Sequence, residues 1–255
     1  MNVLAARNPA TSWREVSVTA ADGVRLDAYF VQPASGASTQ CVVVLHGIGD
    51  SRGSGSAGFV RMLAGYSMLL PDIRGHGTSG GDLMTFGIQE KQDLLQWVRW
   101  LRGQQNCQRV YGLGESLGGA ILVQAAALDP SAFTAIVAEC SFADLPSVAR
   151  YRVARLVPEW IAAALVNGAQ VYAKIRYGLD LAQASPVAGI AQAKPPILLI
   201  HGLEDHATPA EHSRKLAAAA SKTTELWLVP AAGHVAASRT SPDEFRQRVL
   251  QWFKR

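Results

Sequence analysis

Residues 109–120 read Arg-Val-Tyr-Gly-Leu-Gly-Glu-Ser-Leu-Gly-Gly-Ala, a short apolar run that meets Gly-x-Ser-x-Gly and then an alanine-rich helical pattern. No other stretch constrains the fold so tightly. A strand, a sharp turn and a helix in that order present one hydroxyl, that of Ser116, at the rim of a parallel sheet. The turn demands strained backbone at the serine, so Gly114 and Gly118 are expected to lack Cβ atoms because strand and helix crowd them there. The same turn leaves the N–H of Leu117 at a helix N-terminus, where unpaired donors and the helix dipole can hold a developing oxyanion.

The rest of the chain supplies the sheet this turn requires. Residues 13–19 and 24–31 alternate apolar and polar around Asp22-Gly23, predicting an antiparallel hairpin. Buried-type strands then alternate with helices: strands at 41–45, 66–71, 109–113, 135–139, 197–200 and 225–229, and helices near 59–64, 88–101, 117–129, 210–220 and 242–253. This pattern predicts a mostly parallel sheet with helices on both faces. The interval 140–196 is too long for one crossover. Its helix-like runs at 145–157, 158–166 and 169–177 predict a small helical cap, inserted at about 142–194 into a single domain spanning 1–255.

A serine hydroxyl needs a base, and the base needs an acid to fix its tautomer. Of the six histidines, His234 stands just past the last strand on a glycine-containing loop that can reach across the sheet's carboxyl edge. His76 and His201 read as structural imidazoles at strand ends, and His206 and His212 as surface groups. His46 reads as shaping a loop whose Ile48 N–H faces the same oxyanion as Leu117. Asp205, after the strand at 196–200, is the acid chosen, in the chain order Ser, Asp, His. Glu204 and Asp144 compete for that role, and Thr208 ahead of Pro209 reads as the cap of the following helix.

These motifs together resemble the α/β-hydrolase fold family over roughly residues 41–253. They are His46-Gly47, Asp72-x-Arg74-Gly75-x-Gly77-x-Ser79, Gly114-Glu115-Ser116-Leu117-Gly118-Gly119, His201-Gly202-x-x-Asp205 and Gly233-His234. The likeness is greatest to its small bacterial esterase and serine-aminopeptidase-like (S33-type, hydrolase-4-like) branch, which includes relatives of acyl-protein thioesterases. The resemblance implies a three-layer α/β fold with about eight strands and a Ser116–Asp205–His234 triad, with Ile48 and Leu117 N–H groups as the oxyanion hole. The activity it implies is hydrolysis of carboxylic esters through an acyl-enzyme. Thioester or amide hydrolysis would use the same residues, and a non-catalytic binding homologue is the remaining alternative.

The partner the resemblance implies is a small-molecule ester or acyl substrate, and composition speaks against nucleic acid. A formal charge of +4 spread over scattered basic residues gives no stripe for nucleic acid. Gly53-Ser54-Gly55-Ser56-Ala57-Gly58 mimics a dinucleotide fingerprint with Asp72 as its acid. It starts too far beyond its strand, however, and neither a cofactor nor a metal is expected. Cys41, Cys107 and Cys140 read as reduced core thiols. The N-terminus reads as lacking a signal peptide, and no apolar run nears the roughly 18 residues of a membrane span, so a soluble cytoplasmic chain is expected. The cap's Arg150, Arg152, Arg155, Lys174 and Arg176 outnumber Asp144, Glu159 and Asp180, read first as a solvated basic face and otherwise as a surface that steers anionic esters.

Overall fold

The structure, a computed structural model, describes residues 12–255, so the expectation about the N-terminus lies outside the described residues. Eight strands form one sheet: β1 (Ser12–Thr19), β2 (Arg25–Gln32), β3 (Gln40–Leu45), β4 (Ser67–Pro71), β5 (Arg109–Glu115), β6 (Ala135–Glu139), β7 (Ile197–Gly202) and β8 (Glu225–Val229). Their order is β1-β2-β4-β3-β5-β6-β7-β8. The first two pair antiparallel, with Thr19 opposite Arg25 across the expected turn, and β2 is antiparallel to β4; all later pairings are parallel.

The helices are α1 (Glu90–Gln104), α2 (Leu117–Leu128), α3 (Leu145–Ala154), α4 (Glu159–Tyr177), α5 (Pro186–Gly189), α6 (Glu211–Ala219), α7 (Ala237–Thr240) and α8 (Pro242–Trp252). One face of the sheet packs Trp97, Leu101, Ile121 and Leu122 of α1 and α2. The other packs Phe59, Leu63, Phe245 and Trp252. Burying central strands on both sides is why β3, β4, β6 and β7 are almost wholly apolar.

Four local expectations are corrected. The helix expected near 59–64 is a 3-10 turn at Ser56–Phe59 followed by irregular turns, because Gly53, Gly55, Gly58 and Gly65 make a continuous helix costly there. The runs at 158–166 and 169–177 are one helix, α4, which ends where Gly178 takes a left-handed conformation and its N–H bonds back to Ala173 and Lys174. Helix α6 begins at Glu211 with no side-chain cap, so Thr208 does not cap it. Cys41 and Cys107 are joined in a disulfide, and only Cys140 is a free thiol among the described residues. The reason is sheet order: β3 and β5 are neighbours although β4 lies between them in sequence, so the two Cα atoms stand 5.8 Å apart.

Candidate active site

Backbone geometry places the serine first. Strand β5 runs straight into α2 through Ser116, whose φ of 51° and ψ of −113° are sparsely populated for a residue with a side chain. The strain is held by the surroundings. A Cβ on Gly114 would lie 2.6 Å from the Gly118 carbonyl carbon in α2, and one on Gly118 would lie 2.5 Å from the Leu45 carbonyl oxygen at the end of β3. The Ser116 N–H donates to the Glu139 carbonyl at 2.7 Å, tying the turn to β6.

Asp205, Ser116 and His234 come together from three strand ends. The His234 Nδ1–H donates to Asp205 Oδ2 at 2.7 Å, and the Ser116 hydroxyl donates to His234 Nε2 at 3.0 Å. This assignment follows from the carboxylate. Burial works to raise the Asp205 pKa, but hydrogen bonds from His201, His234 and the Thr208 N–H outweigh it and hold the acid well below the usual carboxylate range. An ionised Asp205 can only accept, so the imidazole proton sits on Nδ1 and Nε2 is free to accept from the hydroxyl. A hydroxyl so placed can be deprotonated as it attacks a carbonyl.

The acid is more heavily supported than the sequence suggested. Its Oδ1 accepts from the N–H groups of Ala207 and Thr208 at 2.9 and 2.8 Å. His201, fully buried, lies 3.3 Å from Oδ2 through Nε2. That nitrogen also donates to the Thr208 carbonyl at 2.7 Å, while Ser213 Oγ bonds Nδ1 at 2.6 Å. Asp144 and Glu204 take no part: Asp144 caps α3 by accepting from the Ser147 N–H, and Glu204 is exposed. His212, read as a surface group, is a correction. It lies on the buried face of α6, its Nδ1 accepts from the Ala143 N–H, and burial pushes its pKa down to about 4.

The histidine loop is anchored on β6. Ala231 and Val235 both have positive φ, at 57° and 46°. The Ala237 N–H donates to Glu139 Oε1 at 2.9 Å and the Val235 N–H points at Cys140 Sγ, 3.4 Å away. Sequence reading missed Glu139 and Cys140 because an acid and a thiol at a strand end look like any strand boundary. Glu139 faces Glu115 in register across β5 and β6. Burial pushes Glu139 up to about 7 and Glu115 to about 8.

Leu117 opens α2, so its N–H has no carbonyl one turn earlier to bond. The other expected donor belongs to a loop that lies against the serine: a Cβ on Gly47 would meet Ser116 Cβ at 3.4 Å, and Ile48 follows. His46 shapes that loop as expected, accepting from the Ile73 N–H at 3.0 Å. Asp72 is a clamp, its carboxylate oxygens accepting from the N–H groups of Arg52 and Thr78.

Helices α3 and α4 enclose an apolar cavity of about 360 Å³ with Phe86, lined by Leu145, Val153, Leu165 and Val166. Three of the basic residues in this segment are engaged. Arg150 pairs with Glu159, Arg152 donates to the Ala207 carbonyl and Thr208 Oγ1, and Arg155 donates to the His206 carbonyl. Two of them therefore brace α3 against the loop that carries Asp205.

Compared with known proteins, residues 56–255 match the prolyl oligopeptidase family. The chain is 31% identical over 225 residues to the uncharacterized protein Rv2307c of Mycobacterium tuberculosis (strain ATCC 25618 / H37Rv), covering 87% of this chain and 72% of that one. It is 26% identical over 241 residues to the uncharacterized protein YqkD of Bacillus subtilis (strain 168), covering 92% and 77%. Among solved structures it superposes on the esterase Pf2001 of Pyrococcus furiosus with a TM-score of 0.77 and 24% identity, over 96% of this chain and 93% of that one.

Proposed function

This chain belongs to the prolyl oligopeptidase family and has the α/β-hydrolase fold, and from that premise we propose that it hydrolyses carboxylic esters with Ser116, His234 and Asp205 as its catalytic triad. The family places it among serine hydrolases. The observation that carries the finer reading is the unbroken chain of hydrogen bonds from the Ser116 hydroxyl through His234 to an ionised Asp205.

Ser116 Oγ attacks the ester carbonyl carbon while its proton passes to His234 Nε2. The N–H groups of Ile48 and Leu117 hold the oxyanion. His234 returns the proton to the departing alcohol oxygen, leaving an acyl-serine. A water, deprotonated by His234, then attacks the acyl carbon, and the carboxylic acid leaves as Ser116 recovers its proton. The apolar cavity between α3 and α4 suits a hydrocarbon acyl chain, which supports reading residues 142–194 as a cap on a single domain. The substrate is then a small molecule and no cofactor is required.

Esters rather than thioesters or amides are favoured by the solved neighbours, which include Pf2001 and an acetyl xylan esterase. Peptide hydrolysis is the second reading, because the family is named for peptidases. The resemblance to the serine-aminopeptidase-like branch is compatible with either. The cytoplasmic location expected from the sequence loses its support from reduced thiols, since the Cys41–Cys107 bond argues for an oxidising compartment. No helix among the described residues is long and apolar enough to cross a membrane.

A fluorophosphonate probe and a matched ester and anilide of one acyl group test the proposal. Labelling at Ser116 with faster ester turnover is expected, both lost in Ser116→Ala. Faster anilide turnover would select the peptidase reading, and absence of labelling would leave a binding protein.

A further inference from the structure

A second cavity, of about 580 Å³, lies on the opposite face of the sheet from the apolar one. Its apolar wall, Phe59 and Phe245, belongs to the core cluster on that face, whereas Phe86 and Leu145 of the first cavity pack on the other. Glu115 and Val235 also line it. One directly precedes Ser116 and the other directly follows His234, so the chain neighbours of both the serine and the histidine wall this cavity.

Its charge is uneven. Arg239 and Arg246 reach it from α7 and α8, and neither guanidinium has a hydrogen-bond or ion-pair partner among the described residues. Of the two acids, Asp50 has its Oδ1 occupied by donors from Ser51, Ser54 and Gly55. Glu115 keeps its proton at neutral pH, because burial first and then Glu139 and Asp50 raise it to about 8 against the opposing pull of Arg239. Two free cations against one committed carboxylate leave a net positive pocket with an apolar floor.

Reaction geometry says which half of the substrate goes there. The imidazole that accepts the serine proton must hand it to the departing oxygen, so the leaving group stands on the His234 side of the reacting carbon. The residues that follow His234 build this cavity.

We propose that the cavity is the leaving-group subsite and that Arg239 and Arg246 select esters whose departing alcohol or phenol carries a carboxylate. This rests on the serine-hydrolase reading above. In the step itself the acyl carbon gains its bond to Ser116 Oγ and loses its bond to the phenolic oxygen, which takes the proton from His234.

The test compares 3-acetoxybenzoate with its methyl ester, whose leaving groups differ by one charge, and 4-nitrophenyl monosuccinate with 4-nitrophenyl butyrate, where the charge sits on the acyl side. The wild-type chain is expected to favour the free carboxylate in the first pair only. In Arg239→Gln/Arg246→Gln the kcat/KM ratio of that pair should fall by at least about tenfold, as expected for lost charge-assisted hydrogen bonds. A ratio unchanged by the double variant, or a charge preference confined to the acyl pair, overturns the subsite. An independent readout is binding of 3-hydroxybenzoate to Ser116→Ala by calorimetry, weakened at least about tenfold when both arginines are also replaced. Turnover without charge preference sinks the subsite alone. Binding with no turnover of any ester sinks the hydrolase reading, and with it the cavity's role in the reaction.

Discussion

Helices α2 and α4 are both rich in alanine, leucine and valine, yet the fold treats them differently. Helix α2 buries every residue from Leu117 to Ala126, whereas α4 buries only Ala162, Val166 and Ala173. Trp160 and Ile175 of α4 remain 75% and 81% exposed. The cause is position. Helix α2 leaves the central strand through the serine turn and is trapped between β5, β6, α1 and α5, so its packing and the site geometry are one problem. Helix α4 rests mainly on α3, and nothing in the triad hangs from it. The packing around the serine, the floor of the site, is therefore over-determined, whereas the outer face of α4 is free to vary.

The sharpest contrast lies in activity. Replacing Asp205 by Asn keeps the shape of the floor but removes the acceptor that sets the His234 tautomer, so kcat/KM should fall by about 10³–10⁴ with the circular dichroism spectrum unchanged. Variants of α4 that leave the apolar cavity intact should stay close to wild type.

Two glycine substitutions compare the helices directly. Gly118→Ala drives a methyl group into the Leu45 and His46 carbonyls and should lower urea-unfolding stability by about 1–3 kcal/mol. Gly168→Ala in α4 meets nothing within 4 Å and should raise stability by about 0.5–1 kcal/mol through helix propensity alone. Equal effects would erase the distinction between the two regions.

The disulfide belongs to the floor as well, since it staples β3 to the start of β5. Cys41→Ser should cost about 2–4 kcal/mol in the oxidised protein and nothing beyond the reduced wild type, measured with and without dithiothreitol.

A smaller effect follows from the acids beside the serine. Glu115 and Glu139 hold their protons up to about 8 and about 7 in the folded chain, against an ordinary value of 4.5. These two acids bind more protons in the folded than in the unfolded state, but buried His212, held at about 4 against an ordinary 6.5, opposes them below 6.5. The decline in stability should therefore appear as pH rises from about 6.5 to about 8. Glu115→Gln should flatten the upper part of that decline. Asp205 acts in the opposite sense, its contribution disappearing as pH drops below 3.8. Smallest of all, Ile175→Ser on the outer face of α4 should change stability by no more than about 0.5 kcal/mol.

Much of this site is legible in the sequence. Ser116 announces itself because its turn needs glycines at two fixed offsets, and those offsets survive in the chain as letters. Asp205 and His234 could be placed because loops after parallel strands all emerge at one edge of the sheet. Glu139, His201 and Ser213 carry no such mark, since their importance comes from what lies across a strand or a helix from them. His212 was misread for the same reason: an amphipathic helix shows which residues share a face but not whether that face is covered.

Sequence alone determined the alternation of strands and helices, the strained serine and the three side chains that meet there, because local periodicity and backbone sterics act over a few residues. Tertiary structure alone decided that Cys41 meets Cys107, that Arg152 and Arg155 brace the acid loop, and that two cavities of opposite character occupy the two faces of the sheet. Those facts depend on which distant segments become neighbours, and strand order in a parallel sheet is settled by the packing of the whole core.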